Sequence, residues 1–173
     1  MSNEMIDLIK TRRSIRSFDD REISSELLRE IAETAVYAPS AMNRQLWHFA
    51  VISKKEDIER LAKAVRIACS RDESYDFYRP TAMIITSADK ATPFGCDDCA
   101  CAIQNIFLAA HSLGIGSVWI NQIRDVCDLP EVRAILTELG VPENHTVYGT
   151  AALGYPSAPP RITEKKLENI SYR

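Results

Sequence analysis

Glycine is scarce in this chain, with 6 among 173 residues, and no two stand in a G-x-G-x-x-G or G-x-x-x-x-G-K-[ST] pattern. Both glycine-rich phosphate loops of the common nucleotide-binding folds are thereby excluded. Gly114 and Gly116 precede Ser117-Val118-Trp119-Ile120, a strand-like run rather than a helix, so they form no dinucleotide fingerprint. Histidine is scarcer still. His48, His111 and His145 are expected far apart, on a strand, a helix and a loop, and His111 reads as a core residue of an apolar helix. No H-E-x-x-H or G-x-S-x-G occurs, which leaves zincin and α/β-hydrolase chemistry without support. An excess of basic charge is also missing: 21 basic against 24 acidic residues give a net charge of −3. Nucleic acid is therefore not an expected partner. No apolar run approaches the roughly 18 residues of a membrane span. The opening Met1-Ser2-Asn3-Glu4-Met5 has neither the basic nor the apolar stretch of a leader, so no membrane partner and a cytoplasmic setting are expected. The five cysteines, an odd number, then read as reduced thiols rather than a disulfide framework.

What is present is a mixture of 46% hydrophobic and 26% charged residues, enough for a self-sufficient core. The length suits one domain over residues 1–173. Periodicity predicts helices over 3–11 and from Glu26 to Ala38, the latter capped by Ser24 or Ser25. Strands are expected at Trp47–Ile52, Thr81–Ser87, Ser117–Ile120 and Thr146–Leu153. Further helices are expected at Glu56–Ala68, from about Asp98 to Leu113, and at Leu129–Gly140. Residues 70–80 show no period. The order implies an α+β or α/β arrangement with helices on both sides of a sheet. The Asp98–Leu113 helix is apolar nearly all round, and residues 157–173 form an extended tail. Both suit an intertwined homodimer better than a monomer.

Three segments can carry chemistry. Arg12-Arg13-Ser14-x-Arg16 sets three guanidiniums and a hydroxyl within five residues, and arginine's planar fork suits a phosphate. The plainer reading is a basic helix C-terminus. Pro39-Ser40-x-x-Asn43-x-Gln45-x-Trp47 puts a hydroxyl, two amides and an indole on a helix-to-strand loop, a set suited to a heteroaromatic ring. Local turn chemistry would use the same residues. Cys96-x-x-Cys99-x-Cys101 has thiolate spacing, but its last two cysteines point to different helix faces and a fourth ligand is missing, so small buried apolar residues are the better reading.

Taken together, these segments resemble the nitroreductase family of flavin enzymes. The pieces are Arg12 to Phe18, Ala38 to Trp47, Asp98 to Asn105, Leu108 to Trp119, and Leu153-Gly154-Tyr155-Pro156, in the family's order and covering nearly the whole chain. The resemblance implies a three-layer α+β fold with a central mixed sheet. It also implies an obligate homodimer and an FMN bound at the interface by both subunits. On that footing Arg12, Arg13, Ser14 and Arg16 hold the FMN phosphate and ribityl chain. Pro39, Ser40, Asn43 and Gln45 reach the ring of the partner's FMN. Val118, Trp119, Ile120 and Asn121 lie against the flavin, Gly154 belongs to the same set, and Arg161 of the tail, rather than Lys165 or Lys166, completes the phosphate site. Leu46 stands where many relatives have proline. The implied activity passes hydride from NADH or NADPH through flavin to a small acceptor such as a nitroaromatic or quinone, with no metal and no protein nucleophile. Other chemistry on the same fold (dehalogenation, flavin fragmentation), a non-catalytic flavin-binding protein and a cysteine metal module are the alternatives.

Overall fold

The computed structural model describes residues 3–173. Ten regular elements follow the sequence: α1 Glu4–Thr11, α2 Ser25–Glu33, β1 Trp47–Ile52, α3 Lys55–Ala68, β2 Ala82–Asp89, α4 Gly95–Ser112, β3 Gly116–Ile120, α5 Gln122–Val126, α6 Pro130–Glu138 and β4 His145–Gly154. Local chemistry explains several ends. The Asn3 side chain accepts from the Met5 and Ile6 amides at the start of α1. Ser24 accepts from the Leu27 amide and starts α2. Pro130 stands in the first turn of α6, where no amide proton is needed. The second helix stops at Glu33 and tightens into a 3₁₀ turn, Thr34–Tyr37, before Pro39. The five-residue helix α5 lies outside the sequence expectations because it is too short to show a period.

The strands form one sheet in the order β1-β2-β4-β3, and every neighbouring pair is antiparallel. The expected mixed sheet is corrected on this point. The strand–α4–strand unit does give β2 and β3 the same direction, but β4 inserts between them and runs opposite to both. Parallel pairing is confined to an isolated bridge, Ser14 with Ser117. The pairing of Ile52 with Met83 makes the chain leave and re-enter the sheet at one end. Helix α3 carries it roughly 21 Å away, at 1.5 Å per residue. The aperiodic residues 69–81 bring it back.

Helices cover both faces, which makes the three layers. Met83 and Ile85 of β2 pack with Val118, Ile120 and Ala152 against α3, α5 and α6. Ala82 and Ile84 pack with Ala151 and Leu153 against α2 and α4. Strand β2 is buried from Ala82 to Ala88, as its apolar run requires of a strand covered on both sides. His145 lies at the start of β4 rather than on a loop, and its ring is 6.2 Å from that of His48. Ser87 of β2 lies between them, with its hydroxyl 3.2 Å from His145 Nδ1. Two of the three histidines are thus neighbours across three strands.

The arm after α1 is stitched to the free edge of this sheet. The Ile15 amide donates to Ser117 O at 2.9 Å, and the Asp19 amide donates to Tyr155 O at 2.9 Å. Two glycines allow it. Gly116 and Gly154 face each other across β3 and β4. A Cβ at Gly116 would stand 2.9 Å from the Ile15 side chain, and one at Gly154 would stand 2.8 Å from the Phe18 ring. Overpacking of that kind costs about 1–3 kcal/mol. Gly116→Ala should therefore lower stability by about that amount in urea unfolding, and Ile15→Gly, which removes the clashing Cβ along with the rest of the side chain, should relieve the clash. The double variant should lose less than the two single losses summed. Strict additivity would show that the glycine is not there for Ile15.

Candidate functional site

The arm and the end of α4 border a cleft of about 240 Å³ lined by Thr11, Arg12, Arg13, Ile15, His111, Gly114–Ser117, Pro156 and Pro160. Arg12 is half-buried, its guanidinium 5.6 Å from the centre of the Phe107 ring. Burial, and then the Arg13 charge, hold Arg12 below its usual value, although an arginine stays a cation at working pH. Arg13 caps α1: its Nη1 donates to Lys10 O at 2.6 Å and to Arg12 O at 2.8 Å. Its Nε is buried without a partner. The basic-terminus reading fits this side chain: one nitrogen satisfies the helix, while Nε keeps an unused donor. Ser14 is held by its backbone beside Ser117. Arg16 does not line the cleft. It is exposed and lies 6.0 Å from the Tyr78 ring, which brings the aperiodic 70–80 segment beside the motif.

The Pro39–Gln45 loop is built at the other end of α4. The Gln45 amide donates to Ser40 Oγ at 3.1 Å, and Gln45 Nε2 donates to Asn43 Oδ1 at 2.9 Å. The Ala41 amide donates to Asp98 Oδ1 at 2.9 Å, and Asp98 is buried in the first turn of α4. Met42, Asn43 and Gln45 adopt positive φ, 54°, 53° and 52°. Pro39, Asn43 and Gln45 stay exposed. Thirteen residues of helix separate Asp98 from His111, roughly 20 Å. One protomer therefore does not bring the two motifs together.

The Val118–Asn121 segment divides by strand alternation. Val118 and Ile120 are each 2% exposed and belong to the core, so only their backbone, on an edge strand, is left to meet a ligand. Trp119 is 37% exposed and packs 6.3 Å from Phe107, while Asn121 is exposed. Gly154 is occupied by Phe18 rather than open. Arg161 is exposed and directly follows the cleft residue Pro160; Lys165 and Lys166 lie further along the exposed tail. Sequence reasoning missed Thr11 and Asp98, and it placed His111 in the core. His111 is instead at the cleft, its Nε2 3.0 Å from Thr11 Oγ1. Its position next to Ser112, at the polar end of an otherwise apolar helix, was the available signal.

The cysteines diverge. Cys99 is buried, and burial pushes its thiol up to about 12. Cys101 is exposed, and Cys96 Sγ lies 3.7 Å from Arg124 Nη1. All five are free.

The α+β sheet thus carries an arginine-lined cleft at its edge, with one guanidinium nitrogen unpaired. The sequence model of the nitroreductase family matches residues 9–155, and the chain belongs to that family. A protein of Archaeoglobus fulgidus, provisionally named an NADH dehydrogenase/NAD(P)H nitroreductase, is 38% identical over 159 residues, 88% of this chain and 86% of its own. Among solved structures, a nitroreductase with bound FMN from Bacteroides fragilis superposes with a TM-score of 0.93 at 39% identity, covering 99% of this chain and 100% of that one. One with bound FMN from Desulfitobacterium hafniense gives 0.87 at 29% identity, over 100% of both chains. Among the described residues no helix is long and apolar enough to cross a membrane.

Two outcomes follow from this geometry. Asp98→Ala removes a charged partner from the Ala41 amide and should cost about 1.5–3 kcal/mol in urea unfolding, with faster exchange at the Ala41 amide. An unchanged exchange rate would show that the loop is held by other means. The second concerns pH. Burial, first among the causes, holds His111 and His145 below 6.5. The unfolded chain then binds more protons, so this stability is full above the unfolded value and is lost as pH falls below about 6.5. The midpoint of thermal unfolding, measured without ligand, should drop from pH 7.5 to 5.5, and His145→Gln should shallow that drop.

Proposed function

We propose that this chain is an FMN-dependent oxidoreductase that passes hydride from NADH or NADPH to a small acceptor such as a nitroaromatic or a quinone. The acceptor is reduced in a second half-reaction, and the working unit is a homodimer in the cytoplasm. The observation that carries this reading is the cleft between α1 and β3. Two half-buried guanidiniums stand there side by side, and a buried Arg13 Nε has no partner. Like charges held together away from water are costly without an anion between them. A phosphate monoester suits that pair of guanidiniums, and the cleft, about 240 Å³, is too small for a whole cofactor but ample for its phosphate.

In this reading Arg12, Arg13 and Ser14 hold the phosphate, with Arg161 joining from the tail. Arg16 adds positive charge further along the arm. The edge of β3 from Val118 to Asn121 offers backbone groups beside the ring, and Gly154 keeps the arm in place by admitting Phe18. Pro39, Ser40, Asn43 and Gln45, some 20 Å away along α4, serve the ring end of the site in the partner subunit. Bound FMN supplies the hydride chemistry, which asks for no protein nucleophile. The residues bind, orient and exclude water.

The dimer has its own support. The surface of the protein is 10647 Å². A compact monomer of this mass should expose roughly 8,500 Å², so about 2,000 Å² is in excess, the size of an obligate interface. The apolar surface left open is not chiefly on α4, whose Ala102, Ile103, Ile106, Phe107 and Ala110 are buried within the protomer. It lies on α1, at Met5, Ile6 and Ile9, and along the tail, where Ile162 is 82% and Tyr172 88% exposed. A partner that covers both explains them.

Purified protein should be yellow with one FMN per chain and should sediment as a dimer at micromolar concentration. Colourless protein that fails to take up added FMN would end the reading. Oxidation of NADH or NADPH with added nitroaromatic separates an enzyme from a flavin carrier. Arg12→Ala should weaken FMN binding by about 1.5–3 kcal/mol while turnover per bound flavin stays close to normal. Changing Cys96, Cys99 and Cys101 together to Ala should leave turnover per bound flavin within about tenfold, because hydride transfer needs no thiolate. A thousandfold loss with flavin retained would point to redox thiols.

A further inference from the structure

The cleft contains a titratable side chain that the proposed function leaves unused. His111 stands in it with Thr11, Arg12, Arg13 and Ser117. Its Nε2 lies 3.0 Å from Thr11 Oγ1. The Thr11 hydroxyl has one proton, and the Asp7 carbonyl at 2.7 Å takes it, with the Leu8 carbonyl at 3.3 Å as the second choice. Thr11 Oγ1 therefore accepts, and His111 Nε2 carries the proton it accepts. That assigns the tautomer and leaves Nδ1 as the atom that titrates.

The charges around the ring are countable. Arg12 and Arg13 bear on it from the arm, and both disfavour a further cation. Helix α1 carries Asp7 and Lys10 in the turn before Thr11. The ring's own helix ends here, and its carbonyl dipoles favour a cation. Strand β3 contributes only the neutral Ser117, and the tail contributes Pro160 with Arg161 behind it. With no anion present, burial and the two guanidiniums keep the imidazole neutral at neutral pH. A phosphate monoester brings close to two negative charges into the same space. It offsets both guanidiniums at once, and the balance at His111 changes sign.

We propose that His111 is a proton-linked phosphate-recognition residue: when a phosphate monoester enters the cleft, the imidazole takes up a proton from solvent and becomes a third cation of the site. The cleft then selects a phosphorylated flavin over its dephosphorylated form. The proposal rests on the FMN reading and deepens it.

Calorimetry of the whole protein with FMN, run at pH 7.5 in two buffers of different ionisation enthalpy, counts protons taken up on binding. Riboflavin is the phosphate-free control. The phosphate's own second ionisation lies near 6, so FMN arrives already dianionic and uptake belongs to the protein. FMN should bind with net proton uptake, and riboflavin with none. FMN affinity should fall as pH rises from 6.5 to 8.5, by up to about tenfold per pH unit, while riboflavin affinity stays level. His111→Gln keeps a donor toward Thr11 and should abolish the uptake and flatten the profile. If that variant fails to fold, the His111 ring resonance of the wild-type protein decides: its titration midpoint should rise with FMN and stay put with riboflavin. Wild-type FMN binding without proton uptake, or uptake retained in His111→Gln, overturns the role of His111 and leaves the FMN reading standing. No FMN binding at any pH overturns both.

Discussion

Two glycines facing each other across a pair of strands decide where the basic arm can lie. Gly116 and Gly154 leave a slot on the sheet, and Ile15 and Phe18 fill it at contact distances that no other residue permits. Backbone bonds on either side, Ile15 to Ser117 and Asp19 to Tyr155, then fix the register of the arm. The pinned arm keeps Arg12 and Arg13 at the end of α4, where Thr11 meets His111 and Arg12 lies over Phe107. The scarcity of glycine in the chain and the absence of a glycine-rich loop are two sides of this arrangement. The nitrogens at the cleft belong to side chains, and glycine serves to pack the segment that carries them.

Helix α4 sets the second dimension. Its first turn anchors the Ser40–Gln45 loop through Asp98, and its last turn meets the arginine cleft through His111. A helix of 18 residues keeps these ends apart. On the proposed reading, a site that needs both kinds of group takes them from two protomers rather than from one. The surplus surface and the uncovered apolar residues of α1 and the tail fit that requirement.

Much of the fold could be read from the residues. Trp47–Ile52, with its aromatic and β-branched run, is a strand as expected, and the Met83-Ile84-Ile85 run is buried from both faces. Sequence does not say in which gap of a sheet a strand will insert, and β4 entering between β2 and β3 makes antiparallel the pairing that the order of elements leaves open. Side-chain direction was the other loss. The period of 2 in β3 sends Val118 and Ile120 into the core, and Arg16 turns toward Tyr78. His111 was placed by the company it keeps along its helix, whereas its environment is set by residues a hundred positions away. That kind of proximity is invisible to periodicity.

The Met42–Gln45 turn carries a further consequence. Three residues with side chains hold left-handed backbone angles there, each at a cost of roughly 1–2 kcal/mol against an ordinary conformation. The folded protein bears that cost before any ligand arrives. A loop that has already surrendered its conformational freedom has little left to lose when a planar ring settles against it. On the proposed reading, part of the entropy of recognition thus lies inside the folding equilibrium, where a more compliant and more stable loop would leave it to every binding event.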